Sequence, residues 1–193
     1  MKPYFETHQV GLVWLAVAVV AAVIELAGSF RRRTEGTQRD RGSLLVLRIC
    51  VGPGVLFMGL APRLIPGADI RPPLASVVVG IVIFACGEAL RVWSKTALGR
   101  YFTYTVHTST DQPVITSGPY RVLRHPSYAG MVLMVIGLGA VWGNWIGLLV
   151  VTVLTLVGLR YRIYVEENAL LADLGERYGA FAADRKRLIP YVW

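Results

Sequence analysis

The sequence predicts an all-α membrane protein of about five transmembrane helices, closing with a helical hairpin and an amphipathic helix. Of its 193 residues 54% are hydrophobic and only 17% charged, and the mean hydropathy is +0.52, too apolar for an ordinary soluble domain. The apolar residues also fall into runs long enough to cross a bilayer, and the charges gather in blocks between them. One membrane domain over residues 1–193 is expected, with three spans in 1–93 and a more polar, chemically richer region in 94–193.

Val10 to Phe30 is about 21 residues interrupted only by Glu25, which at ~1.5 Å per residue matches a hydrocarbon core of roughly 30 Å. No basic n-region precedes it and no small-residue cleavage site follows, so it reads as a retained span. Leu44 to Ala61 is the second span, with Gly52-Pro53-Gly54 at a tolerated kink and Pro62 and Pro66 closing it. Leu74 to Trp93 is the third, carrying Glu88 and Arg91. Ser94 to His125 is too polar to cross. Tyr128 to Trp142 and Trp145 to Tyr161 are joined by Gly143-Asn144, a turn pair, and predict a helical hairpin. Leu170, Leu171 and Leu174 then share one helical face, so the last span is expected to continue as an amphipathic helix through Tyr178.

The formal charge of +8 does not point to nucleic acid, because the basic residues flank the apolar runs and suit anionic lipid headgroups. Arg31, Arg32, Arg33, Arg39 and Arg41 crowd the first loop, which the positive-inside rule places in the cytoplasm. Five crossings then leave the N-terminus outside, and residues 94–125 and the C-terminus inside. Cys50 and Cys86 lie within apolar runs and read as packing residues rather than a disulfide or metal site. Glu25 and Glu88 have no assigned role; each suits snorkelling, pairing with another span or lining an entry path.

Two stretches carry candidate chemistry. Gly118-Pro119-Tyr120-Arg121-Val122-Leu123-Arg124-His125-Pro126-Ser127-Tyr128-Ala129-Gly130 reads as a turn leading into a helix whose first N–H groups can hold an anion, or as a capped loop with basic residues at the headgroups. Arg162 and Glu166 stand four apart on one helical face, which fits either an intrahelical ion pair or an ionisable cluster with a function at the end of a span.

Together, Gly-Pro-Tyr-Arg-x-x-Arg-His-Pro-x-Tyr-x-Gly, the apolar hairpin, Arg-x-x-x-Glu-Glu-x-x-Leu, Gly175 to Tyr178 as Gly-x-x-Tyr, and Ile189-Pro190 closely resemble the isoprenylcysteine carboxyl methyltransferase family and its phospholipid methyltransferase relatives. The resemblance covers roughly Gln112 to Pro190. It implies S-adenosylmethionine-dependent methyl transfer, with S-adenosylhomocysteine as product, to a lipidic or prenylated acceptor entering from the bilayer, most directly an isoprenylcysteine carboxylate. It assigns Gln112, Pro113, Val114, Ile115, Tyr120, His125, Pro126, Ser127, Tyr128 and Glu166 to the cofactor, and Arg162 to the acceptor as substrate-binding and catalytic residue. Thr105 departs from the pattern, standing where some members have a cofactor-facing amide.

Those side chains suit the chemistry. A sulfonium nucleotide needs donors, a carboxylate and flat apolar surface. In-line methyl transfer rests on alignment and water exclusion, and a carboxylate acceptor needs no general base. Three alternatives remain: a lipid amine or small-thiol methyltransferase on the same scaffold, a non-catalytic membrane scaffold or transporter, and a sterol-type reductase using a nicotinamide. No internal repeat of the transporter kind is found in the sequence.

Overall fold

The computed structural model describes residues 37–190. The predicted span Val10 to Phe30, with Glu25 and Arg31 to Arg33, lies outside them. The described helices are α1 (Ser43–Leu64), α2 (Pro73–Leu98), α3 (Pro126–Trp142), α4 (Trp145–Leu174) and α5 (Glu176–Ala183). Two-residue strands β1 (Thr37–Gln38) and β2 (His107–Thr108) pair antiparallel. The chain is thus an all-α, integral membrane protein. Helices α1, α2 and α4 are each long and apolar enough to cross a membrane, whereas α3, with 17 residues, is shorter.

Small residues set how these helices meet. Without a hydrophobic force between helices in lipid, close packing at glycines is what lets two backbones approach. Along the α2–α3 seam a Cβ on Gly80 would stand 2.6 Å from the Gly137 carbonyl oxygen, and one on Gly130 would stand 2.6 Å from that of Gly87. The pairs Gly80–Gly137 and Gly87–Gly130 define one antiparallel register. Carried a turn further, it brings Arg91 to the start of α3, where its NH1 donates to the Ser127 carbonyl at 3.2 Å and to Ser127 Oγ at 3.0 Å.

The α1–α4 seam works in the same way. Gly147 faces Met58, Gly54 faces Val151, and Gly158 faces Leu47 and Cys50. The same register one turn on sets Ser43, at the start of α1, against Arg162, whose NH1 donates to Ser43 Oγ at 2.7 Å. Gly54 makes the proline-flanked segment at Pro53 useful: its missing side chain admits α4.

Several elements run beyond their sequence-predicted limits. Helix α1 includes Pro62 in its last turn and stops at Leu64; the proline forgoes one bond to the Met58 carbonyl, an interruption that membrane helices tolerate. Helix α2 continues past Trp93 to Leu98, ending at Gly99. The Gly143-Asn144 hairpin forms as expected: Gly143 has φ 71°, and Asn144 caps α4 by accepting from the Gly147 N–H at 3.0 Å. The amphipathic continuation is interrupted. Gly175, at φ 55°, ends α4 and turns the chain, so Tyr178 and Phe181 on α5 fold back instead of extending the same rod.

Because α3 is short, α2 beyond Arg91 and α4 beyond Arg162 overhang its start. Residues 99–125 and α5 close around this recess, where Tyr120, Leu174, Tyr178 and Phe181 form a buried cluster with Leu98, Val114, Ile115 and Leu170. The link after α1 and the hairpin turn meet at the opposite end, where Asn144 Nδ2 donates to the Ile65 carbonyl at 2.9 Å.

The seams make a differential prediction. Gly137→Val, whose Cβ would meet the Phe84 backbone nitrogen at 2.5 Å, should cost about 1–3 kcal/mol or more through overpacking. Gly52→Ala, with nothing within 4 Å, should be neutral or stabilising. Thermal unfolding in detergent reads both; equal losses would mean that the seam is not what holds α2 to α3.

Candidate functional site

The recess is an open cavity of about 1010 Å³ counting the solvent at its mouth. Four positions of α4, each four residues from the next, supply one wall: Arg162, Glu166, Leu170 and Leu174. The start of α3 brings His125, Ser127 and Tyr128, and Arg91 closes below them. Gln112, Pro113, Val114, Ile115 and Tyr120 line the far side, Tyr178 and Phe181 come from α5, and residues 101–108 contribute Tyr104 and Val106. Of the sequence-assigned residues, only Pro126 is set back from the wall. It is fully buried and serves by starting α3. Thr105 and Glu88 do not line the cavity.

One hydrogen-bonded chain joins the two motif stretches. The Tyr128 hydroxyl donates to Glu166 Oε2 at 2.6 Å and accepts from Arg162 Nε at 3.1 Å. Arg162 and Glu166 therefore communicate through the Tyr128 hydroxyl. His125 stacks on Tyr128, with ring centroids 5.5 Å apart and planes 12° from parallel. Its Nδ1 lies 3.9 Å from Glu166 Oε2.

Glu167, the adjacent carboxylate, points elsewhere. Successive helical residues are rotated by roughly 100°, and Glu167 meets Arg124 NH1 at 3.1 Å, Arg187 NH2 at 2.8 Å and His125 Nε2 at 3.3 Å. A carboxylate only accepts, so the last contact places a proton on Nε2. Arg124 also donates to the carbonyls of Arg185 and Ala182, while the His125 N–H reaches the Arg187 carbonyl at 3.0 Å. This clamp straps the segment after α5 across residues 120–125 and fixes the His125 ring from behind.

At the start of α3, Tyr128 and Ala129 both give their N–H groups to the His125 carbonyl. Of the amides expected to hold an anion, that leaves at most Ser127 for a ligand. Two other polar atoms on the wall are better placed: Gln112 Oε1 and the Tyr178 hydroxyl are buried and have no hydrogen-bond partner among the described residues. An unsatisfied acceptor and donor beside the cavity fit a ligand rich in hydroxyl and amino groups. Burial, and then Glu166, push the Tyr120 phenol up; burial and then Glu167 do the same to Tyr178. Both remain protonated donors.

Arg162 is 3% exposed and draws partners from three segments. NH1 meets Asp40 Oδ1 and Ser43 Oγ, and NH2 donates to the Tyr104 carbonyl at 2.5 Å. Asp40 was not legible as part of the site, standing in an arginine-rich loop. Its one sequence signal was an acidic residue just ahead of the apolar run of α1, the place of a helix cap. It accepts from the Leu44 N–H at 3.2 Å and the Val106 N–H at 3.2 Å. Burial alone would raise the Asp40 carboxyl, but the Arg162 guanidinium and these N–H groups outweigh it and hold it below the usual carboxylate range. Tyr104 and Phe181 likewise carried no distinguishing pattern, while Arg91 stood out only as a charge within its span and Tyr178 only as the end of the Gly-x-x-Tyr motif.

A family model for phospholipid methyltransferases matches residues 75–177, more than half of the chain, and the chain belongs to that family. Among curated proteins it is 28% identical over 116 residues to a probable protein-S-isoprenylcysteine O-methyltransferase of Oryza sativa subsp. indica, covering 59% of this chain and 61% of that one. It is 29% identical over 116 residues to the protein-S-isoprenylcysteine O-methyltransferase of Tribolium castaneum, covering 59% and 41%. The chain thus spans about three-fifths or less of these relatives' lengths. Among solved structures it resembles the eukaryotic intramembrane Ras methyltransferase ICMT (isoprenylcysteine carboxyl methyltransferase), with TM-score 0.63 and 25% identity over 75% of this chain and 52% of that one.

A carboxyl held low in the fold stabilises it above the ordinary carboxylate pKa of about 4 and loses that contribution as pH falls through its folded value. Asp40→Asn should therefore lower the melting temperature at neutral pH, and its deficit should shrink as pH drops below about 4. A deficit independent of pH would show that the Asp40 charge contributes nothing to stability.

Proposed function

We propose that this protein is an S-adenosylmethionine-dependent methyltransferase with a lipidic acceptor, foremost the carboxylate of an isoprenylcysteine-like molecule. The observation that carries the reading is the Tyr128–Glu166 hydrogen bond: two stretches distant in sequence line one cavity. The relatives' named activity supports the carboxylate as acceptor. S-adenosylmethionine, when bound, supplies a methyl group activated on a sulfonium.

The roles divide by chemistry. Tyr120, Tyr128 and His125 give flat surface for a nucleoside. Gln112 Oε1 and the Tyr178 hydroxyl suit its amino and hydroxyl groups. Val114 and Ile115 exclude water, with Pro113 and Ser127 completing the wall. Glu166 suits a positively charged or hydroxylated part of the donor. Arg162 faces the acceptor, orienting rather than deprotonating it, since a carboxylate needs no base. His125, stacked on Tyr128 and held at its Nε2 edge by Glu167, shapes the pocket.

On this reading the cavity end of the bundle is cytoplasmic. Arg39 and Arg41 stand beside Asp40 there, and positive charge on that side agrees with the positive-inside rule; Val10 to Phe30, crossing once more, would put the N-terminus outside. The acceptor then arrives from the bilayer between the helices, and the donor from the aqueous side.

Calorimetric titration of detergent-purified protein should give binding of S-adenosylmethionine and S-adenosylhomocysteine and none of NADPH. Glu166→Ala should weaken both by about tenfold, the scale of one charge-assisted contact, at unchanged thermal stability. A folded protein that binds neither sulfur nucleotide would overturn the assignment.

A further inference from the structure

We infer that Asp40 is a positioning residue that limits the positive charge Arg162 presents to the methyl acceptor, an inference resting on the acceptor reading above. The geometry on the two sides of the guanidinium differs. Both NH1 hydrogens are taken by Asp40 and Ser43, neither of which lines the cavity. Nε is given to the Tyr128 hydroxyl and one NH2 hydrogen to the Tyr104 carbonyl. Among the described residues, that leaves a single NH2 hydrogen of a cavity-lining arginine for a ligand.

The reaction makes this arrangement consequential. An acceptor carboxylate oxygen forms the new O–C bond as the methyl C–S bond breaks. The bonding pair stays on sulfur, and no proton moves. One negative and one positive charge vanish together, so a cation that grips the carboxylate stabilises the ground state more than the transition state. A buried guanidinium with its fork open to the cavity would bind a carboxylate bidentately, strongly, and at the expense of its nucleophilicity. Asp40 holds NH1 from behind, and the Tyr104 carbonyl takes one NH2 hydrogen. The acceptor then meets one N–H of a nearly neutral pair, sufficient for orientation.

Asp40 is itself anchored independently of Arg162, by the Leu44 and Val106 N–H groups and the Ser43 hydroxyl. Asparagine, of the same shape, keeps one oxygen acceptor for the Val106 N–H and the Ser43 hydroxyl, gives up the acceptor for the Leu44 N–H, and removes the charge. The test compares wild type with Asp40→Asn, each loaded with S-adenosylhomocysteine so that no reaction occurs, in binding N-acetyl-S-farnesylcysteine and its methyl ester. The carboxylate should bind Asp40→Asn about tenfold more tightly, as for one added charge-assisted hydrogen bond, and the ester should bind unchanged. With S-adenosylmethionine, KM for the carboxylate and kcat should both fall. Asp40→Glu should restore wild-type values. Asp40→Ser, a neutral residue equally suited to the start of α1, carries the same expectation if the amide does not fold.

Carboxylate and ester affinities that move together, or a raised KM with lowered kcat, would make Asp40 a structural cap and overturn the inference. If wild type binds the sulfur nucleotide and turns over acceptor while Asp40→Asn shows no split, the inference alone fails. If wild type binds neither nucleotide nor acceptor, the proposed function fails and takes the inference with it.

Discussion

The arrangement depends on one buried cation. Arg162 sits where the long apolar run of α4 ends, at 3% exposure, and an unpaired guanidinium there would cost several kcal/mol, about 3–5 for a buried pair missing one partner. Its partners come from three places: Asp40 and Ser43 ahead of α1, the Tyr104 carbonyl in the segment after α2, and Tyr128 at the start of α3. Satisfying that charge therefore ties three parts of the chain to α4 at once. The β1–β2 pairing and Asp173, which accepts from Arg39 at 2.5 Å and from Thr108 at 2.5 Å, reinforce the same closure farther along α4.

Reaching those partners requires helices in correct register, and here glycines and cavity-lining side chains become one problem. The α1–α4 register set at Gly54, Gly147 and Gly158 delivers Ser43 to Arg162; the α2–α3 register set at Gly80, Gly87, Gly130 and Gly137 delivers Arg91 to Ser127. Slipping either seam by one residue would rotate contacting side chains by roughly 100° and break both polar ends. The apolar spans, which show no catalytic pattern in sequence, thus act as the rulers that place the site.

Much of the outline was legible because membrane helices and their turn announce themselves locally: apolar length and Gly143-Asn144. Glu166 and Tyr128 were legible because the two motif stretches resemble a known family. Asp40 was not, since its role depends on a contact 122 positions away and its local surroundings are basic. Tyr178 and Phe181 were misplaced for a different reason: helical periodicity continues across Gly175, and only the φ of 55° there turns them back over the recess. The clamp at Glu167 escaped notice because two neighbouring glutamates look equivalent until the rotation between them is known.

The resulting electrostatics follow from which charges are answered from outside the cavity. Arg162 has Asp40 behind it, Arg124 has Glu167, and Arg91 is engaged by Ser127. Glu166 receives a neutral phenol from Tyr128, and its side chain is still 28% exposed. Two of the wall's three guanidiniums are ion-paired from behind while the Glu166 carboxylate faces inward, which gives that carboxylate's side of the cavity a preference for a cationic group. A sulfonium or ammonium group meets that preference, whereas a phosphate-rich dinucleotide would need the arginines to be free. The same accounting explains why adjacent glutamates cannot exchange roles: Glu167 is consumed holding His125, Arg124 and Arg187 in place, and only Glu166 has charge left for a ligand.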